Sequence, residues 1–162
     1  MKIAGIDYSL TSPAICVYKD ENGGHFDFDR CVFHYLSNNE KQRQLAARSG
    51  LENIRTEPYP EWKSEEERHE KLATWAYNIV QGCEEVFLEG YAFATSAQAG
   101  VRSIAENTGL LKHKMWKNKI TFKTYPPTVI KKFATGKGNS NKEKCMKPLS
   151  VNFLPPMISR NN

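Results

Sequence analysis

The sequence lacks the features that mark membrane, secreted and zinc-binding proteins. No apolar run approaches the roughly 20 residues that a transmembrane helix needs, and the first eight residues include Lys2 and Asp7, unlike a secretory signal peptide. No C-x-x-C pair occurs, so free thiols in a reducing compartment are expected rather than zinc. We therefore expect an intracellular, cytoplasmic protein with no membrane partner. The four cysteines are Cys16, Cys31, Cys83 and Cys145.

Acidic residues are almost missing from the last third of the chain. Residues 107–162 contain 12 Lys/Arg and the single acid Glu143, a net charge of +11, whereas residues 1–106 contain 11 Lys/Arg and 17 Asp/Glu, a net charge of −6. Eleven of the 12 basic residues are lysines, which attract phosphates without reading bases. This segregation predicts that the C-terminal third contacts a polyanion. A solvated basic surface is the alternative.

The apolar pattern predicts three strands followed by alternating helices and strands. The first three strands form an antiparallel meander, and the strand–helix–strand units after it imply parallel pairing. The polar residues 37–63 are expected to be a loop or a partly helical insertion. The predicted strands are 2–8, 14–18, 25–36, 84–89 and 120–125, and the helices begin near 64, 96, 126 and 141.

These elements predict an α/β fold of the RNase H type. Its sheet would be mixed and five-stranded, with a three-stranded antiparallel meander, further parallel strands and helices on both faces. The length of 162 residues argues for one domain. We expect that domain to span residues 1–147. Residues 148–162 would form an atypical C-terminal tail, for which disorder is one alternative.

Two acids occupy comparable places in this scheme. Asp7 ends the first predicted strand, and Glu89 ends the strand after the first long helix. A carboxylate at the end of a buried strand needs a partner, because its desolvation is costly. A divalent cation would serve, and Mg²⁺ prefers oxygen ligands. The alternative is that each acid caps a helix or faces solvent, and spacing alone does not show that the two acids meet.

Four segments of the chain resemble, in order, the motifs of RuvC-like nucleases of the Holliday-junction resolvase type. Each motif is weak alone, but the ordered set covers about residues 3–145. The second motif is closest to phage-type members, so a phage protein in a host cytoplasm is compatible with the resemblance. The segments are GIDYSLTS at 5–12, FLEGYAF at 87–93, AENTGLLK at 105–112 and PPTVIKKFATGKGN at 126–139.

The resemblance implies a two-metal endodeoxyribonuclease that hydrolyses phosphodiesters of branched DNA with Mg²⁺ (or Mn²⁺) and acts as a homodimer. Asp7 would bridge the ions, and Glu89 would be the second ligand. Tyr91 and Phe93 would lie near unpaired bases, with core packing as the alternative. The basic residues expected to contact DNA are Lys112, Lys131, Lys132 and Lys137.

A glycine-rich loop follows the last matching helix. The Gly136-x-Gly138 loop would bring backbone N–H groups to a phosphate, and a flexible turn is the alternative.

The resemblance stops at about Lys144. The family's further C-terminal carboxylates are absent, Pro148 would break the expected helix, and Glu143 would substitute for a missing ligand only if its helix points into the site. A frameshift, an early stop or an evolved loss would leave such a tail. Two functions therefore stay open: an active nuclease, or a DNA-binding member with impaired cleavage. A two-domain ATP-binding relative is less compatible with this length.

Overall fold

The computed structural model describes residues 1–20, 26–90, 98–141 and 143–145. Its helices are α1 (Glu40–Arg48), α2 (Glu65–Val80), α3 (Gln98–Lys117) and α4 (Pro127–Thr135), and a short 3-10 helix spans Phe28–Arg30. Its strands are β1 (Lys2–Asp7), β2 (Ala14–Lys19), β3 (Cys31–Leu36), β4 (Ile54–Glu57), β5 (Glu85–Glu89) and β6 (Phe122–Tyr125). Among these elements no helix is long and apolar enough to cross a membrane.

One mixed sheet organises the strands in the order β4-β3-β2-β1-β5-β6. β1 and β3 pair with β2 in antiparallel fashion, and β1 pairs with β5 and β3 with β4 in parallel fashion. The meander followed by parallel strands, flanked by helices, confirms the predicted RNase H-like class. The described sheet has six strands instead of the expected five, because β4 joins the outer edge of the meander.

The segment 37–63 contains the extra strand. The helix α1 confirms the partly helical alternative for this segment, whereas the strand β4 was not predicted. α1 buries none of its residues, and its Leu45 is 63% exposed. The sequence therefore has no amphipathic pattern here that would predict a helix. β4 has only four residues, which is too short for a clear alternation.

The third strand begins later than predicted, at Cys31 rather than at residue 25. Asp27 explains the difference, because its side chain accepts a hydrogen bond from the Asp29 backbone N–H (3.0 Å). Its carbonyl accepts another from the Arg30 N–H (3.2 Å). These local bonds favour a tight 3-10 turn over an extended strand. The sequence DENGG at 20–24 is typical of a turn before this strand, and it lies mostly outside the described residues.

The hydrophobic core lies on one face of the sheet. Alternating residues of β1, β2 and β5 point to this face, where Ala4 pairs with Val17 and Val86. α2 and α3 cover it with one apolar side each, as their helical spacing predicted. The buried helical residues are Leu72, Ala76 and Val80 of α2 and Leu111 and Met115 of α3.

Local signals fix the ends of α2. Ser64-x-x-Glu67 is a capping-box pattern, and the Ser64 hydroxyl accepts a hydrogen bond from the Glu67 N–H (3.2 Å). The Glu67 carboxylate, however, accepts from the Lys63 N–H (2.7 Å), one residue before the cap. After the helix, Gly82 adopts φ 78°, a left-handed conformation that glycine allows without steric cost.

The chain divides into two compact units, residues 1–124 and 125–162. In the second unit α4 starts with Pro127 in its first turn and ends at Gly136, which has φ 78°. Thr135 and Ser140 share a hydroxyl hydrogen bond of 2.6 Å that closes the following loop. A Cβ on Gly138 would lie 3.0 Å from the Thr128 carbonyl oxygen, so a larger residue here would fit only if the Thr128 backbone shifted by a few tenths of an ångström. The domain boundary expected near residue 147 stays a prediction.

Leu72→Ala tests the core at the contact between α2 and the sheet. Leu72 is fully buried, so its truncation is expected to lower the free energy of unfolding by about 2–5 kcal/mol. Leu45→Ala on α1 is the matched control, and it should change stability by less than about 0.5 kcal/mol because Leu45 is largely exposed. Urea denaturation measures both, and equal losses would contradict the described packing.

Candidate metal and nucleic-acid site

Asp7 and Glu89 end two neighbouring parallel strands. The strand register pairs Ile6 of β1 with Leu88 of β5, and each acid is the next and last residue of its strand. Alternation along the strands places both acids on the sheet face opposite the core formed with α2 and α3. Asp7 is exposed and Glu89 is half-buried. The sheet thus brings together the strand ends that spacing alone does not connect.

The loop after Asp7 is held by its own side chains. The Ser9 hydroxyl accepts hydrogen bonds from the N–H groups of Thr11 (3.2 Å) and Ser12 (3.3 Å). Such a local turn limits the backbone freedom of the residues next to the acid.

An arginine of α2 anchors the same loop. The Arg68 guanidinium donates to the Leu10 carbonyl at 2.8 Å. The guanidinium also lies 4.9 Å from the centre of the Trp62 ring, a cation–π distance. Sequence reasoning missed Arg68, because an arginine in the first turns of a helix resembles an ordinary solvated residue.

Tyr8 connects the end of β1 to α3. Its buried hydroxyl donates to the side-chain carbonyl oxygen of Asn107 at 3.2 Å, and Asn107 is completely buried. Burial raises the pKa of the Tyr8 phenol far above its usual range, while the bond to Asn107 opposes the shift and the charge of Glu70 adds to it. Within the described part of the chain, the Asn107 side-chain N–H group has no hydrogen-bond partner. This polar contact inside an apolar core holds the backbone next to Asp7 in one position.

Asp7 and Glu89 supply fewer carboxylate ligands than a two-metal centre needs. Mg²⁺ often binds through one or two carboxylates and keeps several waters, so Asp7 and Glu89 suit one ion. Within the described ranges, no group of three or more His, Cys, Asp or Glu side chains is arranged to hold a metal. Glu143 is exposed and belongs to the second unit. Tyr91 and Phe93 lie outside the described residues.

The predicted DNA-contacting lysines occupy both units. Lys112 is half-buried on α3 of the first unit. In the second unit Lys131 is half-buried on α4, whereas Lys132 on the same helix and Lys137 in the following loop are exposed. Phe133 lies among them and is 95% exposed. α4 and its loop therefore present positive charge beside an aromatic ring, a combination typical of single-strand binding.

The glycine-rich loop uses several of its backbone groups internally. The Gly136 N–H donates to the Lys132 carbonyl (2.8 Å), and the Lys137 N–H donates to the Thr135 hydroxyl (3.2 Å). These two donors are therefore not directed at a phosphate. The anion-binding nest expected from the sequence therefore lacks these two donors.

The comparisons with known proteins identify a fold and no closer relative. No protein-family model matches the chain, and no curated protein matches it. A Thermus thermophilus RuvC structure aligns with a TM-score of 0.57 at 15% identity, over 93% of this chain and 79% of that one. A structure of T. thermophilus RuvC in complex with a Holliday junction substrate aligns with a TM-score of 0.61 at 13% identity, over 93% and 78%. The chain therefore has a RuvC-like fold.

Tyr8→Phe tests the contact between β1 and α3. Losing the hydroxyl leaves the Asn107 oxygen without its donor, which is expected to cost about 1–3 kcal/mol of stability at neutral pH. The pKa of Tyr8 in the folded state is raised above its ordinary value of 10.0. The contribution of the Tyr8 hydroxyl to folding stability is therefore complete below pH 10, and it is lost at higher pH because the phenol ionises more readily in the unfolded chain. The variant should therefore lose less stability than the parent above pH 10. Denaturant titrations at several pH values measure this, with Tyr77→Phe as the control; an identical alkaline slope would contradict the assignment.

Proposed function

We propose that this chain is a metal-dependent endodeoxyribonuclease that acts on branched DNA, as a Holliday-junction resolvase does. The observation that carries the proposal is the position of Asp7 and Glu89, which end adjacent parallel strands on one face of a RuvC-like sheet. The basic C-terminal third supports a nucleic-acid substrate, since it has a net charge of +11. The aligned T. thermophilus RuvC complex contains a Holliday junction, which supports the branched form of that substrate.

In the proposed cleavage reaction, the metal ion and the side chains of the protein would have different roles. A bound Mg²⁺ (or Mn²⁺) would lower the pKa of a water and stabilise the leaving oxygen of the phosphodiester. Asp7 and Glu89 would hold the ion, and their fixed strand ends would set its position relative to the DNA backbone. Tyr8 and Arg68 keep the Asp7 segment in place through Asn107 and the Leu10 carbonyl. Positioning of this kind supplies much of the rate in metal-assisted phosphoryl transfer.

Lysines would bring the DNA to this site. Lys112, Lys131, Lys132 and Lys137 are proposed to neutralise backbone phosphates, and Tyr91 and Phe93 to lie near unpaired bases. A homodimer, with one site for each of two cuts, belongs to the same proposal. So does a cytoplasmic location.

A DNA-binding protein with impaired cleavage is the second candidate. It is favoured by the carboxylate count, because the described residues contribute no third ligand beside Asp7 and Glu89. Two carboxylates neutralise a pair of divalent ions poorly. This candidate keeps the lysines and the salt-sensitive affinity, so metal-dependent cutting separates the two functions.

Asp7→Asn and Glu89→Gln test the metal-dependent reaction. Each substitution removes one negative ligand and nearly preserves side-chain volume, and each is expected to lower the rate of four-way-junction cleavage in Mg²⁺ or Mn²⁺ by at least about 100-fold, on the order of 3 kcal/mol. Gel assays of a labelled junction measure the rate. Glu52→Gln, at an exposed position outside the site, should leave it unchanged.

The pattern of results distinguishes the candidates. Cleavage by the parent chain that both site variants abolish supports the nuclease. Junction binding without metal-dependent cleavage supports the impaired member. Cleavage that survives both substitutions would overturn the assignment of Asp7 and Glu89.

The lysines of α4 and its loop are expected to control the salt dependence of DNA binding. Replacing Lys131, Lys132 and Lys137 by glutamine should make the dependence of DNA affinity on salt less steep. The magnitude of the slope of log association constant against log salt should fall by about 0.9 for each lost phosphate contact. Replacing Lys41, Arg48 and Lys63, exposed residues of the first unit, removes the same charge and is the control. Fluorescence anisotropy at several salt concentrations measures both slopes. Equal reductions would show a general charge effect and no specific DNA surface.

A further inference from the structure

A cleft of about 460 Å³ lies on the α2 side of the sheet, within the first unit. Its floor is formed by β2 and β3, and its wall by the C-terminal half of α2. Four residues with titratable or charged side chains, Lys2, His34, Arg55 and Glu57, line it together with Trp75 and Asn78. The volume is in the range of pockets that hold small organic ligands.

The cleft lies at the edge of the apolar core, where polar side chains of β3 and β4 line it together with α2. α2 and α3 pack on β1, β2 and β5, where the core residues are apolar. On β3 the same face keeps the apolar Val32 and Leu36, whereas His34 and the two β4 residues of that face are polar. His34 pairs in register with Arg55, and Glu57 follows on β4. The sequence therefore places polar side chains where a closed core would require apolar ones.

The cleft has an excess of positive charge. The Arg55 guanidinium makes no hydrogen bond or ion pair with the described part of the chain, and Lys2 Nζ donates only to the Gln81 carbonyl, at 3.3 Å. The one carboxylate, Glu57, accepts a hydrogen bond from the Trp75 indole N–H at 3.4 Å. Burial, followed by the charges of Arg55 and Lys2, lowers the pKa of His34, while Glu57 opposes the shift. An anion beside His34 and Arg55 would relieve this repulsion.

The aromatic wall adds a second requirement for the ligand. Trp75 packs against the core with one side and is half-buried, so part of its ring borders the cleft. Asn78 lies one helical turn further along α2 and offers both a donor and an acceptor. An apolar wall with a few convergent polar groups is the usual composition of a pocket for a planar organic ring.

We propose that this cleft binds a nucleotide unit, with the phosphate on Arg55 and His34 and the base against Trp75. The unit belongs either to a free mononucleotide or to a nucleic-acid strand, since both carry this chemistry. The cleft is separate from the Asp7–Glu89 site, because alternation along β1 and β5 places those acids on the other face of the sheet. The proposal does not depend on nuclease activity.

Proton NMR of the His34 imidazole, with adenosine monophosphate and inorganic phosphate as probes, tests the site. Adenosine monophosphate should shift the His34 resonance in a saturable way and raise the pKa of His34. Its Kd should be at least about tenfold lower than that of phosphate, because the base adds a stacking contact. Asp7→Asn should bind the nucleotide as tightly as the parent, which separates this test from that of the nuclease.

Arg55→Gln is the critical variant, and Arg48→Gln is its matched control. Both arginines are exposed, so neither change should unfold the chain, and thermal denaturation verifies this. Arg55→Gln should weaken nucleotide binding at least about tenfold, because it removes a charge-assisted hydrogen bond to the phosphate, and Arg48→Gln should not.

Three results would overturn the proposal: no His34 shift at millimolar nucleotide, equal affinity for phosphate and nucleotide, or equal weakening by the two arginine variants. A tetranucleotide without terminal phosphates distinguishes the sources. If the tetranucleotide competes with the mononucleotide, the ligand of the cleft is a nucleic-acid strand. If it does not compete, the ligand is a free mononucleotide.

Discussion

The parallel pairing of β1 with β5 is the constraint on which the candidate site depends. The two strands are separated by the meander, α1, β4 and α2 in the chain, yet they are neighbours in the sheet. Their shared direction brings both carboxyl ends to one edge, and the register carries Asp7 and Glu89 there together. A slip of one residue would move one acid to the core face, where its desolvation would be costly. The apolar partners Ala4, Ile6, Val86 and Leu88 are buried beneath α2 and α3, and they specify this register.

The two faces of the sheet serve different purposes. One face is buried under α2 and α3 over β1, β2 and β5, and it supplies the stability that holds the strand ends in place. The opposite face carries the two acids. The residues that form the hydrophobic core are therefore different from the candidate metal ligands. The covered face also has a polar margin, which His34, Arg55 and Glu57 form at the cleft beside α2. The two proposed sites lie on different sides of one sheet.

Most of the fold was predictable from periodicity and capping signals. β1, β5, α2 and α3 have long apolar patterns, and Ser64 and Gly82 mark the ends of α2. β4 was missed, and α1 was expected only as part of a loop or a partly helical insertion, because a helix without a buried side and a four-residue strand leave too weak a pattern. The 3-10 turn at Phe28–Arg30 depends on hydrogen bonds to Asp27, which alternation does not detect.

The candidate site was predictable only in part. Asp7 and Glu89 were recognisable as acids that end buried strands, but their proximity is a property of strand order. Two contacts that support the site join residues far apart in the chain: Arg68 with the Leu10 carbonyl, and Tyr8 with Asn107. A local sequence pattern cannot predict such contacts. The same holds for the cleft, where Lys2, His34 and Arg55 come from three strands.

Anomalous diffraction from crystals soaked in Mn²⁺ tests the central claim most directly. Mn²⁺ takes the same oxygen ligands as Mg²⁺ and is visible by its own scattering. We expect an anomalous peak within coordination distance of the carboxylates of both Asp7 and Glu89, and its loss in crystals of Asp7→Asn. A saturating soak that leaves these two carboxylates without an ion, or that places the ion elsewhere, would contradict the claim.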